Sequence, residues 1–266
     1  MTVVRRRIRG FLFDMDGVLY RGHRPLPGAR TVLTRLERLG LPYALVTNNS
    51  TRTPRQYVRH LAAMRMRVQE DRIVTSSVVA AEYLKKILRP GDRVLIIGER
   101  GLQQAVRAAG LVPSEDRVAA VVVGLDRHLT YRRLAAAVGA LLGGAAFVAT
   151  NPDRLLPTEA GEIPGAGALV AALVYATGRR PIMIGKPRPA LLRQAMARIG
   201  TRPAETVMVG DQAATDVAAG RAVGAYTVLV QSGLGPPRRA RGSLPRPDLV
   251  VRDLRELWRT ISPTLR

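Results

Sequence analysis

Two aspartates that follow a short apolar run are the first residues whose types and spacing could support chemistry. In the stretch Phe11–Val18 the apolar run ends at Asp14, Asp16 stands two residues later, and Gly17 follows it. Adjacent carboxylates are costly unless a cation or a proton lies between them, so the pair favours a metal site or acid–base chemistry. Gly17 permits a close approach or a positive φ. Taken alone, the stretch also fits an ordinary acidic turn after a strand.

Three other apolar runs end in polar residues in the same way. Thr47 and Asn48 offer a hydroxyl and amide groups, which bind anionic oxygens. Lys186 is one of only three lysines among 42 Lys plus Arg, which leaves 39 arginines, and its compact ammonium suits a point contact with phosphate or carboxylate. Asp211 and Asp216 add two more carboxylates. Each stretch by itself also suits a turn, a surface lysine or a helix cap.

The elements that must position these residues are short apolar strands that alternate with helices. The predicted strands are Ile8–Phe13, Pro42–Val46, Arg93–Ile97, Ala119–Val123, Ala146–Thr150, Ile182–Ile184, Thr206–Val209, Ala225–Val230 and Leu249–Val251. The predicted helices are Gly28–Leu39, Pro54–Met64, Ser77–Leu88, Leu102–Ala109, Tyr131–Leu142, Gly165–Ala176, Pro189–Ile199, Ala214–Val223 and Asp253–Ile261. This alternation is typical of an α/β fold with a parallel sheet. Because open α/β sheets bind ligands at the carboxyl ends of their strands, we expect all four polar stretches to gather at one sheet edge.

The composition of the 266-residue chain excludes several classes of protein. With 47% hydrophobic residues, the chain is not disordered as a whole. It has no cysteine, which excludes disulfides, thiolate catalysis and cysteine-based metal centres, and its three histidines are too scattered to indicate a metal cluster. No window reaches the ~18 apolar residues of a membrane-spanning helix, so we expect a cytoplasmic protein.

The formal net charge of +22 leaves two interpretations open. It would suit a nucleic-acid partner, especially at Arg5–Arg9 and Arg238–Arg246, although 4% aromatic residues supply few platforms for base stacking. The alternative is a solvated, arginine-rich surface that attracts phosphorylated molecules in general. The stretch Gly233–Pro247, rich in Gly, Pro and Arg, predicts a basic loop.

The order of the four polar stretches resembles that of the haloacid dehalogenase superfamily. The pattern runs from Asp14-Met-Asp16-Gly17 through Thr47 and Lys186 to Gly210-Asp-Gln-Ala-Ala-Thr-Asp216, so it spans the chain. The resemblance implies an α/β fold with a Rossmann-like three-layer α/β/α core and an inserted α/β cap domain. An acid two residues after Asp14 favours the phosphatases and phosphomutases of this superfamily over its dehalogenases and P-type ATPases. The mutases usually have a helical cap after the first stretch, which this chain has no room for.

Spacing within that family pattern predicts the position of the cap. Only 30 residues separate Asp16 from Thr47, whereas positions 47 and 186 are 139 apart. We therefore predict a discontinuous core of residues 1–74 and 181–266 and a cap of residues 75–180. The spacing is similar to that of the NagD-like group, also called the p-nitrophenyl phosphatase or phosphoglycolate phosphatase group. The stretches that look similar to this group are Ile97–Gly101, Val123–Asp126, Ala149–Asp153 and Pro164–Gly167.

The resemblance implies catalytic and metal-binding roles for the first and last stretches. Asp14 would be the nucleophile that forms an aspartyl-phosphate, and Asp16 would be the general acid and base. A Mg²⁺ ion would be held by Asp14, the backbone carbonyl of Asp16, and Asp211. The group often has a further acid where this chain has Ala214, which affects the fine tuning of the metal site.

The same resemblance implies how the phosphate and the rest of the substrate are bound. Thr47, the backbone N–H of Asn48 and Lys186 would hold the phosphate oxygens, and Asp216 would orient Lys186 or a metal-bound water. Cap residues would select the substrate, although a structural turn explains the same residues equally well. The residues nominated for this selection are Asn151, Pro152, Asp153, Gly165 and Gly167.

The predicted function is a Mg²⁺-dependent phosphatase that hydrolyses small-molecule phosphomonoesters. Its partners would be a small phosphorylated substrate and a second copy that pairs through the cap, with no membrane contact. Two alternatives stay open: a nucleotide-specific phosphatase, and a basic nucleic-acid-binding protein on the same fold.

Overall fold

The computed structural model describes residues 7–158, 161–231 and 244–265. The strands are β1 (Gly10–Asp14), β2 (Tyr20–Arg21), β3 (Arg24–Pro25), β4 (Tyr43–Thr47), β5 (Ile73–Thr75), β6 (Arg93–Ile97), β7 (Val112–Pro113), β8 (Ala120–Val123), β9 (Ala146–Ala149), β10 (Leu155–Thr158), β11 (Gly161–Pro164), β12 (Ile182–Met183), β13 (Thr206–Gly210), β14 (Tyr226–Val230) and β15 (Leu249–Val251). The helices are α1 (Ala29–Arg38), α2 (Pro54–Ala63), α3 (Ser76–Ile87), α4 (Arg100–Ala108), α5 (Tyr131–Leu142), α6 (Ala166–Thr177), α7 (Ala190–Ile199), α8 (Ala218–Val223) and α9 (Leu254–Ile261).

Side-chain caps fix the start of several of these helices, as α3 and α9 show. The Thr75 hydroxyl accepts a hydrogen bond from the backbone N–H of Val78 at 3.3 Å, and α3 starts at the next residue. The Asp253 carboxylate accepts from the backbone N–H groups of Arg255 and Glu256 at 2.8 and 3.0 Å before α9. These contacts satisfy N–H groups that no helical carbonyl reaches, so a hydroxyl or carboxylate residue fixes the start of each helix.

The first compact unit comprises the described residues of Met1–Thr47, Tyr57–Val74 and Lys186–Arg266. It contains a six-stranded sheet in the order β15-β14-β13-β1-β4-β5. On one face Phe13 and Val209 pack with Leu36 of α1 and Leu257 of α9. Met208 of β13, next to Val209, points to the opposite face, where α8 contacts it. The sheet therefore lies between two layers of helices.

The strand register brings three carboxyl ends of this sheet together. Strand β1 pairs in parallel with β13 on one side and with β4 on the other. Asp14 pairs with Val46, the residue before Thr47, and Phe13 pairs with Val209, two residues before Asp211. Asp14, Thr47 and Asp211 therefore lie at neighbouring strand ends on the same edge of the sheet.

The second compact unit comprises Asn48–Gln56 and the described residues of Thr75–Gly185. Its five-stranded parallel sheet has the order β12-β9-β8-β6-β7. Leu95, Val121 and Val123 from the strands pack with Leu141 of α5 and Leu173 of α6. Strands β10 and β11 form a separate antiparallel pair. The predicted α/β class, with a Rossmann-like core and an inserted α/β unit, is confirmed.

The structure corrects one prediction about strand ends. Lys186 follows β12, which pairs in parallel with β9 and belongs to the sheet of the second unit. The prediction that all four polar stretches follow strands of one sheet is therefore wrong for Lys186. Ile182 and Met183 form too short a strand for their sequence to indicate which sheet they join.

Other differences concern short elements. The sequence prediction missed β2, β3, β5, β7, β10 and β11, which have two to four residues and are too short to show an apolar period. The predicted helix Ala214–Val223 instead begins with a π-helical turn, Ala213–Val217, that leads into α8.

Two further predictions are only partly covered by the structure. The cap of residues 75–180 stays a prediction as a domain assignment, and the second unit adds Asn48–Gln56 and continues to Gly185. Arg5, Arg6 and residues 233–243 of the predicted basic loop lie outside the described residues. Within the part of the chain that the structure describes, no helix is both long and apolar enough to cross a membrane.

Candidate active site

Three buried carboxylates and one buried ammonium form a single cluster in the first unit. Carboxylate oxygens of Asp14, Asp211 and Asp216 all lie within 4.8 Å of one another. The Lys186 Nζ donates to Asp14 Oδ1 at 2.6 Å and to Asp216 Oδ1 at 2.7 Å. The side chains of Lys186 and Asp216 are only 2% and 1% exposed, so bulk water screens these contacts little. Short charge-assisted hydrogen bonds therefore fix the three side chains relative to one another.

The backbone explains how each member reaches the cluster. Asp14 is the last residue of β1, and Asp211 directly follows the last residue of β13. Asp216 lies in the π-helical turn before α8, and its Oδ2 accepts hydrogen bonds from the backbone N–H groups of Asp211 and Gln212 at 3.1 and 3.0 Å. One oxygen of Asp216 thus binds its own loop and the other binds Lys186, so this residue holds both in place.

The electrostatics of the cluster favour added positive charge. Burial raises the pKa of the Asp14 carboxyl well above its usual range; the Lys186 ammonium opposes this rise, and the charges of Asp216 and Asp211 add to it. Burial also disfavours the charged form of Lys186, but the carboxylates of Asp14 and Asp216 outweigh this effect and raise its pKa. The ammonium stays charged, and the three carboxylates exceed it by two formal negative charges.

Two further predicted site residues, Asp16 and Thr47, lie close to Asp14 in the chain or in the sheet. Asp16 is exposed, two residues after Asp14, and the Tyr20 hydroxyl donates to its Oδ2 at 3.4 Å. Thr47 is buried at the end of β4, the strand next to β1. The structure therefore brings Asp14, Lys186 and the two later aspartates into one cluster and places Thr47 at the adjacent strand end.

Gly17 lies directly against the Asp211 carboxylate. Its φ is +84°, a conformation that residues with a Cβ rarely adopt, and a Cβ at this position would overlap Asp211 Oδ2. The Asp14-Met-Asp16-Gly17 turn and the loop after β13 thus pack together only because residue 17 has no side chain.

The remaining predicted site residues gather in the second unit around Asn48. The Asn48 Nδ2 donates to both carboxylate oxygens of Asp153 at 3.4 and 3.3 Å, and Asn151 Nδ2 donates to the carbonyl oxygen of Asn48 at 2.8 Å. The Asn151 Oδ1 accepts a hydrogen bond from the backbone N–H of Asp153 at 3.1 Å. Gly165 and Gly167 lie against backbone carbonyl oxygens of the same turn, which a Cβ would overlap.

Comparison with known proteins connects this geometry to a family. Residues 11–112 match the model of the haloacid dehalogenase-like hydrolases, and residues 183–257 match a second model that describes HAD-like hydrolases. The 5'-nucleotidase YutF of Bacillus subtilis is 37% identical over 248 residues, which cover 93% of this chain and 96% of that protein. The chain belongs to the haloacid dehalogenase-like hydrolases.

Two further similar proteins indicate to which group of these hydrolases the chain belongs. The acid sugar phosphatase of Staphylococcus aureus is 36% identical over 252 residues, which cover 94% of this chain and 97% of that protein. The solved structure of a p-nitrophenyl phosphatase from Archaeoglobus fulgidus has a TM-score of 0.87 and 35% identity, and covers 94% of this chain and 98% of that chain. This haloacid dehalogenase-like hydrolase is a phosphoric monoester hydrolase of the NagD-like group, so the predicted family and enzyme class are confirmed.

The carboxylate cluster of this hydrolase fits a divalent cation. Carboxylate oxygens are the hard donors that Mg²⁺ and Ca²⁺ prefer, and the excess of two negative charges matches the charge of such an ion. The oxygens of Asp216 already bind Lys186 and the loop.

Gly17→Ala is expected to lower activity by disturbing the carboxylate cluster. The new Cβ would displace the Asp211 carboxylate, and we expect a drop in kcat of about tenfold or more and, if the cluster holds a divalent cation, a higher Mg²⁺ concentration for half-maximal activity. The positive φ adds a loss of about 1 kcal/mol in the free energy of unfolding. Activity measured against Mg²⁺ concentration, with urea unfolding in parallel, checks both effects.

Gly40→Ala is the matched control for this substitution. Gly40 has φ +62° but no atom within 4 Å of the position of a Cβ, so it carries the backbone cost without the overlap. We expect a similar loss of stability with unchanged kcat and Mg²⁺ dependence. Equal activities in the two variants would contradict the close approach of Gly17 to the Asp211 carboxylate.

Two contacts of the site residues were not predicted from the sequence. The Ser76 Oγ donates to the carbonyl oxygen of Asn48 at 2.6 Å, and the Tyr20 hydroxyl contacts Asp16. Ser76 follows the cap residue Thr75 and has the pattern of an ordinary helix start, so nothing in its local sequence indicates a partner 28 residues away. Tyr20 lies in the stretch after Asp14, where its spacing alone does not show the direction of its side chain.

Proposed function

We propose that this hydrolase is a Mg²⁺-dependent phosphatase that acts on small-molecule phosphomonoesters through an aspartyl-phosphate on Asp14. The observation that carries the proposal is the buried cluster in which Lys186 holds Asp14 and Asp216 beside Asp211. It combines a nucleophile, an anchored cation and a metal-binding carboxylate at the carboxyl edge of a parallel sheet, where such folds bind their ligands.

In the first step an oxygen of Asp14 attacks phosphorus. Lys186 binds Oδ1 of Asp14, which leaves Oδ2 to form the new O–P bond. The bond between phosphorus and the leaving oxygen breaks, and the exposed Asp16 gives its proton to the leaving alkoxide. Splitting the displacement into two transfers is what a covalent nucleophile contributes.

In the second step water releases phosphate from Asp14. Asp16, now a carboxylate, takes a proton from the attacking water. The water oxygen bonds to phosphorus, and the O–P bond to Asp14 breaks. Thr47, the backbone N–H of Asn48 and the Lys186 ammonium hold the phosphoryl oxygens through both steps. The Tyr20 hydroxyl keeps the Asp16 side chain beside the turn.

Asp14, the backbone carbonyl of Asp16, and Asp211 would hold the Mg²⁺ ion. When bound, the ion supplies positive charge that lets the carboxylates approach a dianionic substrate and stabilises the transferring phosphoryl group. Asp216 stays outside this set and orients Lys186. These roles are the ones that the family resemblance implies. The contacts of Lys186 with Asp14 and Asp216, and of Asp216 with the backbone of Asp211, support the part that lies in the first unit.

Removal of divalent metal is expected to abolish turnover. Protein treated with EDTA and then desalted should release less than about 1% of the nitrophenolate that the untreated protein releases from p-nitrophenyl phosphate, and added Mg²⁺ should restore the rate. Added Na⁺ at the same ionic strength is the control and should restore nothing. Undiminished turnover without divalent metal would contradict the proposed metal dependence.

The substrate class separates two versions of the proposal. A nucleotide-specific phosphatase is the competing version, and the 37% identity with a protein named 5'-nucleotidase favours including it. A phosphate-release screen across sugar phosphates, phosphoglycolate, glycerol phosphate, pyridoxal phosphate and mononucleotides decides between them. A kcat/KM at least about tenfold higher for mononucleotides than for the other esters would select the nucleotide version.

Two other predictions stay predictions. Selection of the substrate by Asn151, Asp153, Gly165 and Gly167 stays a prediction, and the contacts described above explain how Asn48 and the turn hold these residues. Pairing of two copies through the predicted cap likewise stays a prediction. Nucleic-acid binding gains no support from the site.

A further inference from the structure

Tyr20 is tied to the turn that carries Asp16 by both its backbone and its side chain. The Tyr20 carbonyl oxygen accepts a hydrogen bond from the backbone N–H of Gly17 at 2.8 Å, and Tyr20 forms a β-bridge with Asp16. The Tyr20 hydroxyl then donates to Asp16 Oδ2 at 3.4 Å. The Tyr20 side chain is 1% exposed, whereas Asp16 is exposed, so a buried ring holds an otherwise exposed carboxylate.

The ring of His60 packs against the ring of Tyr20 from another element. His60 is a half-buried residue of α2, and its ring centroid lies 4.8 Å from that of Tyr20 with an angle of 81° between the planes. The His23 ring lies 5.0 Å from that of His60 at 70°. Both are edge-to-face contacts at the distances that aromatic pairs prefer.

Through these two contacts, one residue of α2 holds both ends of a short segment. Tyr20 begins β2, and His23 lies in the turn between β2 and β3. All three rings and Asp16 belong to the first unit. His60 therefore fixes the segment that directly follows the Asp16 turn to a helix of the same unit.

We propose that His60 is a positioning residue for the general acid, whose ring holds Tyr20 where its hydroxyl reaches Asp16. The inference rests on the proposed function, in which Asp16 gives its proton to the leaving oxygen. A general acid acts only when its proton lies within hydrogen-bond reach of that oxygen, so the direction of the Asp16 side chain affects the rate.

The length of the contact makes it sensitive to the position of the Tyr20 ring. A distance of 3.4 Å is longer than the usual O–H···O spacing of about 2.5–3.0 Å. A shift of the ring by a few tenths of an ångström therefore decides whether the hydroxyl still binds Asp16. Removal of the His60 ring opens space beside Tyr20 and permits such a shift.

Two aryl phosphates of similar shape measure how well the general acid works. Phenolate is a strong base, with a pKa near the ~10 of a tyrosine side chain, and needs a proton as it leaves. Nitrophenolate is much less basic and leaves with little help from an acid. The kcat/KM for p-nitrophenyl phosphate divided by that for phenyl phosphate, called the leaving-group ratio below, therefore rises when the general acid is misplaced.

Substitutions at both rings should raise the leaving-group ratio. We expect a rise of about tenfold for Tyr20→Phe, which removes only the hydroxyl, and about fivefold for His60→Leu, which removes the ring but fills much of its space. His60→Phe keeps an aromatic ring against Tyr20 and should return the ratio to within about twofold of the wild type.

Tyr43→Phe is the matched control for the loss of a hydroxyl. Tyr43 is also a buried tyrosine of the first unit, and its hydroxyl donates to a carboxylate oxygen of Glu37 at 2.8 Å. Its removal should leave the leaving-group ratio within about twofold of the wild type. Urea unfolding of each variant accompanies the kinetics, and Tyr20→Phe still gives the comparison if His60→Leu does not fold.

The double variant tests whether His60 acts through the Tyr20 hydroxyl. If it does, His60→Leu should raise the ratio by less than about twofold when it is added to Tyr20→Phe. A full further fivefold rise, or an unchanged ratio in Tyr20→Phe and His60→Leu, would overturn the inference.

Asp16→Asn separates the inference from the proposed function. It should raise the leaving-group ratio more than any of the other substitutions, because it removes the general acid itself. If Asp16→Asn raises the ratio and the ring variants do not, the inference fails and the proposed function stands. An unchanged ratio in Asp16→Asn would instead contradict the role of Asp16 in the proposed function.

Discussion

Asp14→Asn is expected to lower kcat for p-nitrophenyl phosphate by about 10⁴-fold or more, because an amide cannot form the O–P bond that opens the reaction. The substitution keeps the shape of the side chain, and its amide oxygen can still accept a hydrogen bond from Lys186. It also removes one of three crowded negative charges. We therefore expect the free energy of unfolding to change by less than about 1 kcal/mol, measured by urea denaturation beside the kinetics.

Asp126→Asn provides the matched control for this result. Asp126 is also a buried carboxylate shortly after a parallel strand, 7% exposed against 8% for Asp14, but it lies in the second unit. We expect it to retain activity within about twofold of the wild type. Full turnover by Asp14→Asn, or an equal loss in both variants, would contradict the role of Asp14.

Lys186→Met is expected to remove both activity and stability. The buried ammonium contacts Asp14 and Asp216 at 2.6 and 2.7 Å, so its loss leaves two buried carboxylates without their cation. Breaking a buried ion pair by removing one partner costs about 3–5 kcal/mol in the free energy of unfolding. Because the proposed mechanism has this ammonium bind the phosphoryl oxygens as well as Asp14, its loss should lower kcat/KM by about 10³-fold or more. Urea unfolding and p-nitrophenyl phosphate kinetics measure the two effects.

The other lysines of the chain supply the control for Lys186. Lys85 is exposed near the end of α3, and Lys85→Met should change stability by no more than about 0.5 kcal/mol and leave activity unchanged. Adding Asp216→Asn to Lys186→Met should recover part of the lost stability, because one uncompensated charge is removed. A Lys186→Met protein as stable and as active as Lys85→Met would refute the account of the buried cluster.

Site residues were easiest to predict from the sequence where a charged side chain stands at the end of an apolar strand. Asp14 and Asp211 each follow an apolar strand, and parallel pairing of those strands brings both to one edge. Lys186 could be recognised because lysine is so rare in an arginine-rich chain, although its own strand joins the other sheet. Residue type and strand ends therefore predicted most of the cluster in the first unit.

Contacts between segments that are far apart in the chain could not be predicted from residue types and strand ends. That Asn48 belongs with residues 75–185 follows from hydrogen bonds to Ser76 and Asn151, which lie 28 and 103 positions away. A serine at a helix start and an asparagine after a strand each have a local explanation, so neither sequence points to the other segment. The same limit applies to β12, whose two residues join β9 because of tertiary pairing.

The net charge of +22 does not by itself indicate which molecules the protein binds. The site and the turn beside it contain four aspartates, Asp14, Asp16, Asp211 and Asp216. The charge of the site is therefore negative, whereas the chain as a whole is positive. A basic exterior raises the local concentration of phosphorylated molecules without selecting among them.

The most direct test of the central claim is to trap the phosphoryl group on Asp14. Protein mixed with p-nitrophenyl phosphate and Mg²⁺, quenched with acid and treated with borohydride, should yield a peptide in which Asp14 has become homoserine, since borohydride reduces acyl phosphates. Asp14→Asn protein treated in the same way is the control and should yield no modified peptide. Reduction at another carboxylate, or no reduction at Asp14 in a protein that is turning over substrate, would contradict the account.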